Sequence, residues 1–306
     1  MSTTTHLDNA IAEQVTGKAK DISENKVICE ISDSGVATVT LNNPDKHNAF
    51  DDTVIETLTT TFTNLANAPQ VKVVVLAANG KSFSAGADLN WMKRMASYSY
   101  QENLADANAL AQMLKTLNFM PKPVIGKIQG AAFGGAVGLA SCCDIVVAST
   151  KASFCLSEVK LGLIPATISP YVVNAIGLSA SRRYFMTAER FFANKAAELG
   201  LVDEVVEPEL LDQKVDEFVT LLLANGPDAV RQAKQLAFDV AYCDLNQGIN
   251  DDVLADTSVR IANIRTSPEG QEGLSAFFDK RQPQWQQQVN QHPSSVQQRQ
   301  AHDGNE

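Results

Sequence analysis

Between residues 27 and 150 the chain repeats one rhythm of strand, extended stretch and helix, and this recurrence limits the fold more than any other feature of the sequence. Val27 to Leu41 alternates apolar and polar residues around Ser34-Gly35, which predicts two short strands joined by a turn. Asn42 to Asn48 reads as a loop, and Asp51 to Ala66 carries Val54, Leu58, Phe62 and Leu65 at helical spacing with Asp51 or Asp52 available as an N-cap. The strand Val71 to Ala77 then leads into a loop of small residues, Asn79 to Asp88, and a helix-rich stretch from Leu89 to Met120 that stops at Pro121 and Pro123. A third round follows, with Val124 to Ile128 as a buried strand, a helix opening at Gly134-Gly135 and running to Cys142, and a strand from Asp144 to Ala148. No fixed-period repeat accompanies the rhythm, so it predicts a stacked β-β-α spiral of α/β class rather than a solenoid.

Beyond the spiral, Leu161 to Pro165 reads as a turn, and Tyr171–Ile176, Ala180–Thr187, Asn194–Leu199 and Leu210–Ala224 as helices. Asp228 to Phe278 is helical and amphipathic. These readings divide the chain into a loose arm at 1–25, a spiral core at 26–207 and a helical region at 208–281. A tail at 282–306, rich in Gln, Asn, Ser and His, buries too little apolar surface to offset its ordering entropy and is expected to be disordered.

Charge and composition exclude several function classes. A net charge of -10 argues against a binder of the phosphate backbone, which needs clustered Lys and Arg. The five cysteines, Cys29, Cys142, Cys143, Cys155 and Cys243, lack the spacing of a metal-ligand set and read as reduced thiols. No apolar run is long enough to span a membrane, and the first 25 residues carry Asp8, Glu13, Asp21 and Glu24 without an apolar core, so a cytoplasmic location is expected. Of the four histidines only His47 lies in the body of the chain, and no G-x-S-x-G elbow accompanies it, which excludes a serine hydrolase.

Three segments have the makings of chemistry. Lys81 to Leu89 (KSFSAGADL) is a loop of small residues whose N–H groups a ligand can approach closely, although it equally suits a plain strand-to-helix turn with Asp88 as N-cap. Gln129 to Gly138 (QGAAFGGAVG) is a glycine-rich turn that runs into a helix start, where unpaired N–H donors favour an oxyanion or a phosphate; close helix packing is the other reading. Ser157 to Pro165 sets Glu158 in an apolar neighbourhood, where desolvation raises a carboxyl towards the range of a general acid/base.

Taken together, these segments resemble the crotonase (enoyl-CoA hydratase/isomerase) family over about residues 25–285. The likeness rests on the N-x-P-x-x-x-N-A segment at Asn42 to Ala49, the S-A-G-A-D loop, the G-x-A-x-G-G turn, the E-x-x-x-G-x-x-P segment, and Phe277-Phe278-Asp279-Lys280-Arg281 near the C-terminus. The resemblance implies a crotonase-type spiral core with a C-terminal helical trimerisation region, an acyl-CoA thioester substrate, no cofactor beyond the CoA that the substrate carries, no metal, and self-association as a homotrimer or hexamer. It implies that the N–H groups of Ala87 and Gly135 hold the thioester oxygen and that Glu158 exchanges the proton at C2. CoA contacts are expected at Lys46, Ala49, Ala85, Asp88, Leu89, Asn90, Trp91, Gly134, Phe277 and Lys280, with Lys93, Arg94 and Arg281 adding charge near the nucleotide.

Two departures stand out. Where hydratases of the family carry a second Glu, this chain has Gly138, and where they carry a Gly-rich stretch after the proline it has Ala166-Thr167-Ile168-Ser169-Pro170-Tyr171, whose hydroxyls suit the wall of an acyl pocket. Ala87 to Met95 with Cys155 to Val159 is similar to bacterial methylglutaconyl-CoA hydratases of leucine degradation and carboxygeranoyl-CoA hydratases. The expected activity is therefore hydration of a 2-enoyl-CoA. The alternatives are a Δ3,Δ2-enoyl-CoA isomerase with a single acid/base, and a non-catalytic acyl-CoA or RNA-binding relative.

Overall fold

In the computed structural model, which describes residues 25–241 and 251–286, the strand Val73–Ala78 (β3) is buried along its whole length. Its side chains alternate between two cores, Val74, Leu76 and Ala78 facing one and Val73, Val75 and Ala77 the other. β3 sits inside a six-stranded sheet with Val27–Ile31 (β1), Val36–Leu41 (β2), Val124–Ile128 (β4), Ile145–Ser149 (β6) and Glu204–Val206 (β9), in the order β1-β2-β3-β4-β6-β9. β1 and β2 form the expected antiparallel pair, and every later pairing is parallel.

A second sheet, Ala131–Phe133 (β5), Ser153–Cys155 (β7) and Phe191–Phe192 (β8), lies beside the first. The preceding loops extend it, because Ser84 bridges Ala132 and Ala87 bridges Phe50, both in parallel. Each round of the chain thus lays one strand in the large sheet and one short extended piece in the small sheet before a helix returns it. The rhythm read from the sequence is this spiral. β5, β7, β8 and β9 were not anticipated as strands, since two or three residues carry no periodicity and acquire strand geometry only by pairing.

The helices Asp52–Asn67 (α1), Leu89–Met95 (α2), Tyr100–Asn118 (α3), Gly135–Ser141 (α4), Ser169–Thr187 (α5) and Ala193–Glu198 (α6) accompany the spiral. Asp51 caps α1 by accepting from the Val54 N–H at 3.1 Å, and Val54, Ile55, Leu58, Phe62 and Leu65 form its buried face. α5 is broken at Gly177, whose φ of 76° and ψ of 162° are non-helical, so it comprises the two helices expected on either side of that glycine. Leu211–Leu223 (α7) covers the outer face of the large sheet through Leu211, Val215, Val219 and Leu223. Pro227–Ala241 (α8), Asp251–Thr266 (α9) and Pro268–Phe278 (α10) complete the described chain. At the start of the segment expected as a tail, Trp285 donates through Nε1 to the Ala224 carbonyl at 3.2 Å. The expected arm before Asn25, Cys243 and the rest of the tail lie outside the described residues. Among those described, no helix is long and apolar enough to cross a membrane.

Candidate active site

The register of the small sheet assembles the site. Ser84, Ala132 and Phe154 form one row across it. Ala87 and Gly135 follow three residues after their members of that row, and Glu158 follows four residues after Phe154, so three segments distant in sequence leave the sheet at the same end.

Close backbone approach then joins them. Gly86 has φ of +86°, and a Cβ there would stand 2.7 Å from the Phe133 carbonyl oxygen, so only glycine allows this loop to lie against the second turn. The Gly134 N–H donates to the Cys155 carbonyl at 2.9 Å, tying the second turn to the strand that leads to Glu158. Gly134 itself adopts φ 53° and ψ -123°, and a Cβ on it would lie 3.3 Å from Glu158 Oε1. The neighbouring Gly135 leaves room for the Phe50 ring, whose Cζ would lie 2.5 Å from a Cβ there.

Two backbone donors are left over. Phe50 donates to the Gly86 carbonyl and accepts from the Asp88 N–H, so the Ala87 amide between them is turned to the other side. Gly135 is the first residue of α4, a position whose N–H has no acceptor within the helix. Among the described residues neither N–H has a hydrogen-bond acceptor. Glu158, against Gly134, opens a short 3-10 turn and is half-buried, and its buried Oε2 is without a hydrogen-bond partner among the described residues. Burial pushes its carboxyl above the ordinary glutamate value, with a hydrogen bond to its own backbone opposing the shift.

The scaffold under the loops involves residues that the sequence reading had not singled out. Asn48, buried at a φ of 53°, donates to the carbonyls of Asn79 and Ser82 at 2.8 and 2.9 Å and accepts from the Asn43 N–H at 2.8 Å. Gln129 Nε2 donates to the carbonyls of Ala78, Gly80 and Ser82. The signal for Asn48 was its place in the N-x-P-x-x-x-N-A segment; nothing local marked Gln129. His47 shares a 3.1 Å hydrogen bond with Ser82 Oγ and is a loop residue.

The expected CoA contacts are spread over these elements. Lys46, Ala49 and Ala85 lie on the paired loops, where the Ala85 N–H donates to the His47 carbonyl, and Leu89 and Asn90 are exposed at the start of α2. Asp88 caps α2, its carboxylate accepting from the N–H groups of Asn90 and Trp91 and pairing with Lys46 at 3.4 Å. Trp91 is 3% exposed, with Nε1 donating to Asp106. Arg94 pairs with Asp52, and Arg281 with Glu272. Phe277 lies in the last turn of α10, which packs on α9 and α8, and Lys280 just past its end; Phe277 is exposed. A cavity of about 340 Å³ between α1 and α3, lined by Asp52, Ile55, Thr59, Asp106 and Gln112, contains none of the Gly134 and Glu158 cluster.

The family model for enoyl-CoA hydratase/isomerase matches residues 32–288 of this chain. The chain belongs to the enoyl-CoA hydratase/isomerase family. An enoyl-CoA hydratase structure from Shewanella pealeana is 46% identical and superposes with a TM-score of 0.80, covering 93% of this chain and all of that one. The short-chain-enoyl-CoA hydratase of Clostridium acetobutylicum is 31% identical over 84% of this chain and 96% of its own length. The trans-2-decenoyl-[acyl-carrier-protein] isomerase of Streptococcus mutans is 29% identical over 83% and 95%. Proteins named hydratase and a protein named isomerase thus both match this chain.

Proposed function

We propose that the protein hydrates 2-enoyl-CoA thioesters, with the amides of Ala87 and Gly135 on the thioester oxygen and Glu158 as the single acid/base. The observation that carries this reading is the buried Oε2 of Glu158, unpartnered beside two backbone donors without acceptors. In the first step water attacks C3 while the Glu158 carboxylate takes its proton, and the C2=C3 electrons move to the thioester as an enolate. Each amide aimed at the developing oxyanion contributes about 3 kcal/mol, by analogy with oxyanion-hole deletions. In the second step the Glu158 carboxyl returns the proton to C2, the enolate reverts to a thioester, and the carboxylate is regenerated. H and OH have then been added across the double bond by a group that acts first as base and then as acid, a task suited to a raised carboxyl.

A second reading, Δ3,Δ2 isomerisation, is favoured by one observation: the helix position of a second carboxylate is Gly138, packed against Ile168. Here Glu158 removes a proton from C2 and delivers it to C4, and no water is consumed. The test is turnover of crotonyl-, 3-methylcrotonyl-, 3-methylglutaconyl- and 3-hexenoyl-CoA by wild type and Glu158→Gln, following hydrated mass and double-bond position. Hydration lost by at least about 100-fold in the variant supports the first reading. Migration without hydration in wild type supports the second, and substantial residual turnover in Glu158→Gln refutes both.

We further propose 3-methylglutaconyl-CoA as the substrate, on the likeness of Ala87–Met95 and Cys155–Val159 noted above, with CoA the only coenzyme moiety required. Lys46, Ala49, Ala85, Asp88, Leu89, Asn90, Trp91, Gly134, Phe277 and Lys280 are its proposed contacts. Self-association as a trimer or hexamer is supported by Leu254, Val259, Ile261, Leu274, Phe277 and Phe278, large apolar residues exposed on α9 and α10.

A further inference from the structure

The two departures noted in the sequence, Gly138 and the residues after Pro165, meet in space. A Cβ on Gly138 would stand 2.4 Å from Ile168 Cγ2 and 2.9 Å from Ile168 Cβ, with Leu114 Cδ2 at 3.5 Å. Gly138 lies inside α4 at a φ that any residue adopts, where glycine costs about 1 kcal/mol against alanine. Glycine is therefore needed there for the space it leaves, and Ile168 takes that space. Ile168 and Leu114 are 2% and 0% exposed, so the filled side is closed.

This contact lies one helical turn along α4 from Gly134, the residue against which Glu158 rests. α5, which Ile168 precedes, packs on both α4 and the 3-10 turn that begins with Glu158. Hydrocarbon thus stands on the Gly138 side, where the resemblance puts the second carboxylate of the hydratases. We propose that Ile168 is a positioning residue that sets which reaction the site supports: by sealing the Gly138 side it limits attack of water on C3 of the 2-enoyl thioester relative to proton transfer between C2 and C4. The inference rests on the reading of Glu158 as the single acid/base.

The test is the partition of 3-hexenoyl-CoA between shifted double bond and hydrated product, read by mass and NMR, in wild type, Ile168→Val and Ile168→Ala. Room opened beside Glu158 is expected to raise the hydrated-to-shifted ratio by about tenfold in Ile168→Ala, and in the same direction by less in Ile168→Val. A purely structural role would lower both products together. A second arm compares Gly138→Glu alone and with Ile168→Gly. The single variant is expected to melt well below wild type, and the pair to recover most of that loss and add a second ionisation to the pH profile of hydration. A ratio unchanged within about twofold in both Ile168 variants, or a Gly138→Glu melting point indifferent to residue 168, overturns the proposal. Wild type that turns over none of the thioesters would instead overturn the functional reading on which it rests.

Discussion

Glu158 is a carboxyl held away from water, and this has a consequence for stability as well as for chemistry. Its pKa is raised in the folded protein because burial penalises the charged form, so the folded state binds the proton more tightly than the unfolded chain does. The stabilising contribution is then fully present below the unfolded value and is lost as pH rises through the raised one. Glu158→Gln removes the penalty, and the variant is expected to melt above wild type at pH 8 and to lose that advantage below the ordinary glutamate range, as thermal melts at the two pH values will read. Activity that starts from the carboxylate falls as acid is added, and its acid limb is expected above the ordinary glutamate pKa. Asn48 makes the complementary case for a residue without chemistry. Asn48→Ala takes the side-chain partner from the Asn79 carbonyl and the Asn43 N–H, while the Ser82 carbonyl keeps its bond from Gln129. It is expected to cost about 1 to 3 kcal/mol in urea unfolding and to lower kcat with it, because the Ala87 amide rides on the same loops.

At the level of elements, the site depends on short extended pieces that could not hold their shape alone. The loop at residues 82–88 is kept in place by the Ser84 bridge to Ala132, the Ala85 bond to His47 and the two bonds to Phe50. Gly86 sits between these anchors in left-handed backbone against the Phe133 carbonyl. Gly86→Ala carries about 1 to 2 kcal/mol of backbone strain, to which the clash with Phe133 adds. The expected outcome is a lower urea midpoint, together with a fall in kcat larger than any rise in KM, since the Ala87 amide is displaced from the oxyanion proposed for it.

For the whole molecule, the C-terminal helices are fastened to the spiral through Lys234 on α8. Its Nζ lies 2.7 Å from Asp144 Oδ2 and 3.1 Å from the Lys122 carbonyl, and the same Asp144 oxygen accepts from the Val124 N–H at the start of β4. The Lys234 side chain is only 10% exposed. Lys234→Met leaves the Asp144 carboxylate without its cation and is expected to destabilise by about 3 kcal/mol, seen as a lower urea midpoint. The exposed apolar residues on α9 and α10 lead to a separate expectation, that light scattering during size-exclusion chromatography returns a mass that is a multiple of three chains. A monomer at micromolar concentration would remove the proposed assembly.

The large elements were legible from local pattern: α1 from its helical spacing and its Asp51 cap, β3 and β4 from unbroken apolar runs, α4 from the glycines that open it. Glu158 and the two amide-bearing turns were legible too, since a carboxylate in apolar surroundings and small residues before a helix carry chemical meaning at short range. What no local pattern contains is register. That Ser84, Ala132 and Phe154 share one row, and so bring Ala87, Gly135 and Glu158 together, depends on pairing between segments far apart in the chain. Asp88 as the cap of α2 was legible from its place before a helix, whereas the bond from Trp91 to Asp106 depends on α3 lying against α2. Gly138 and Ile168 were visible as two unrelated departures, and they became one packing contact when α5 came to rest on α4, because the space that a missing side chain leaves is a property of two surfaces and not of either residue.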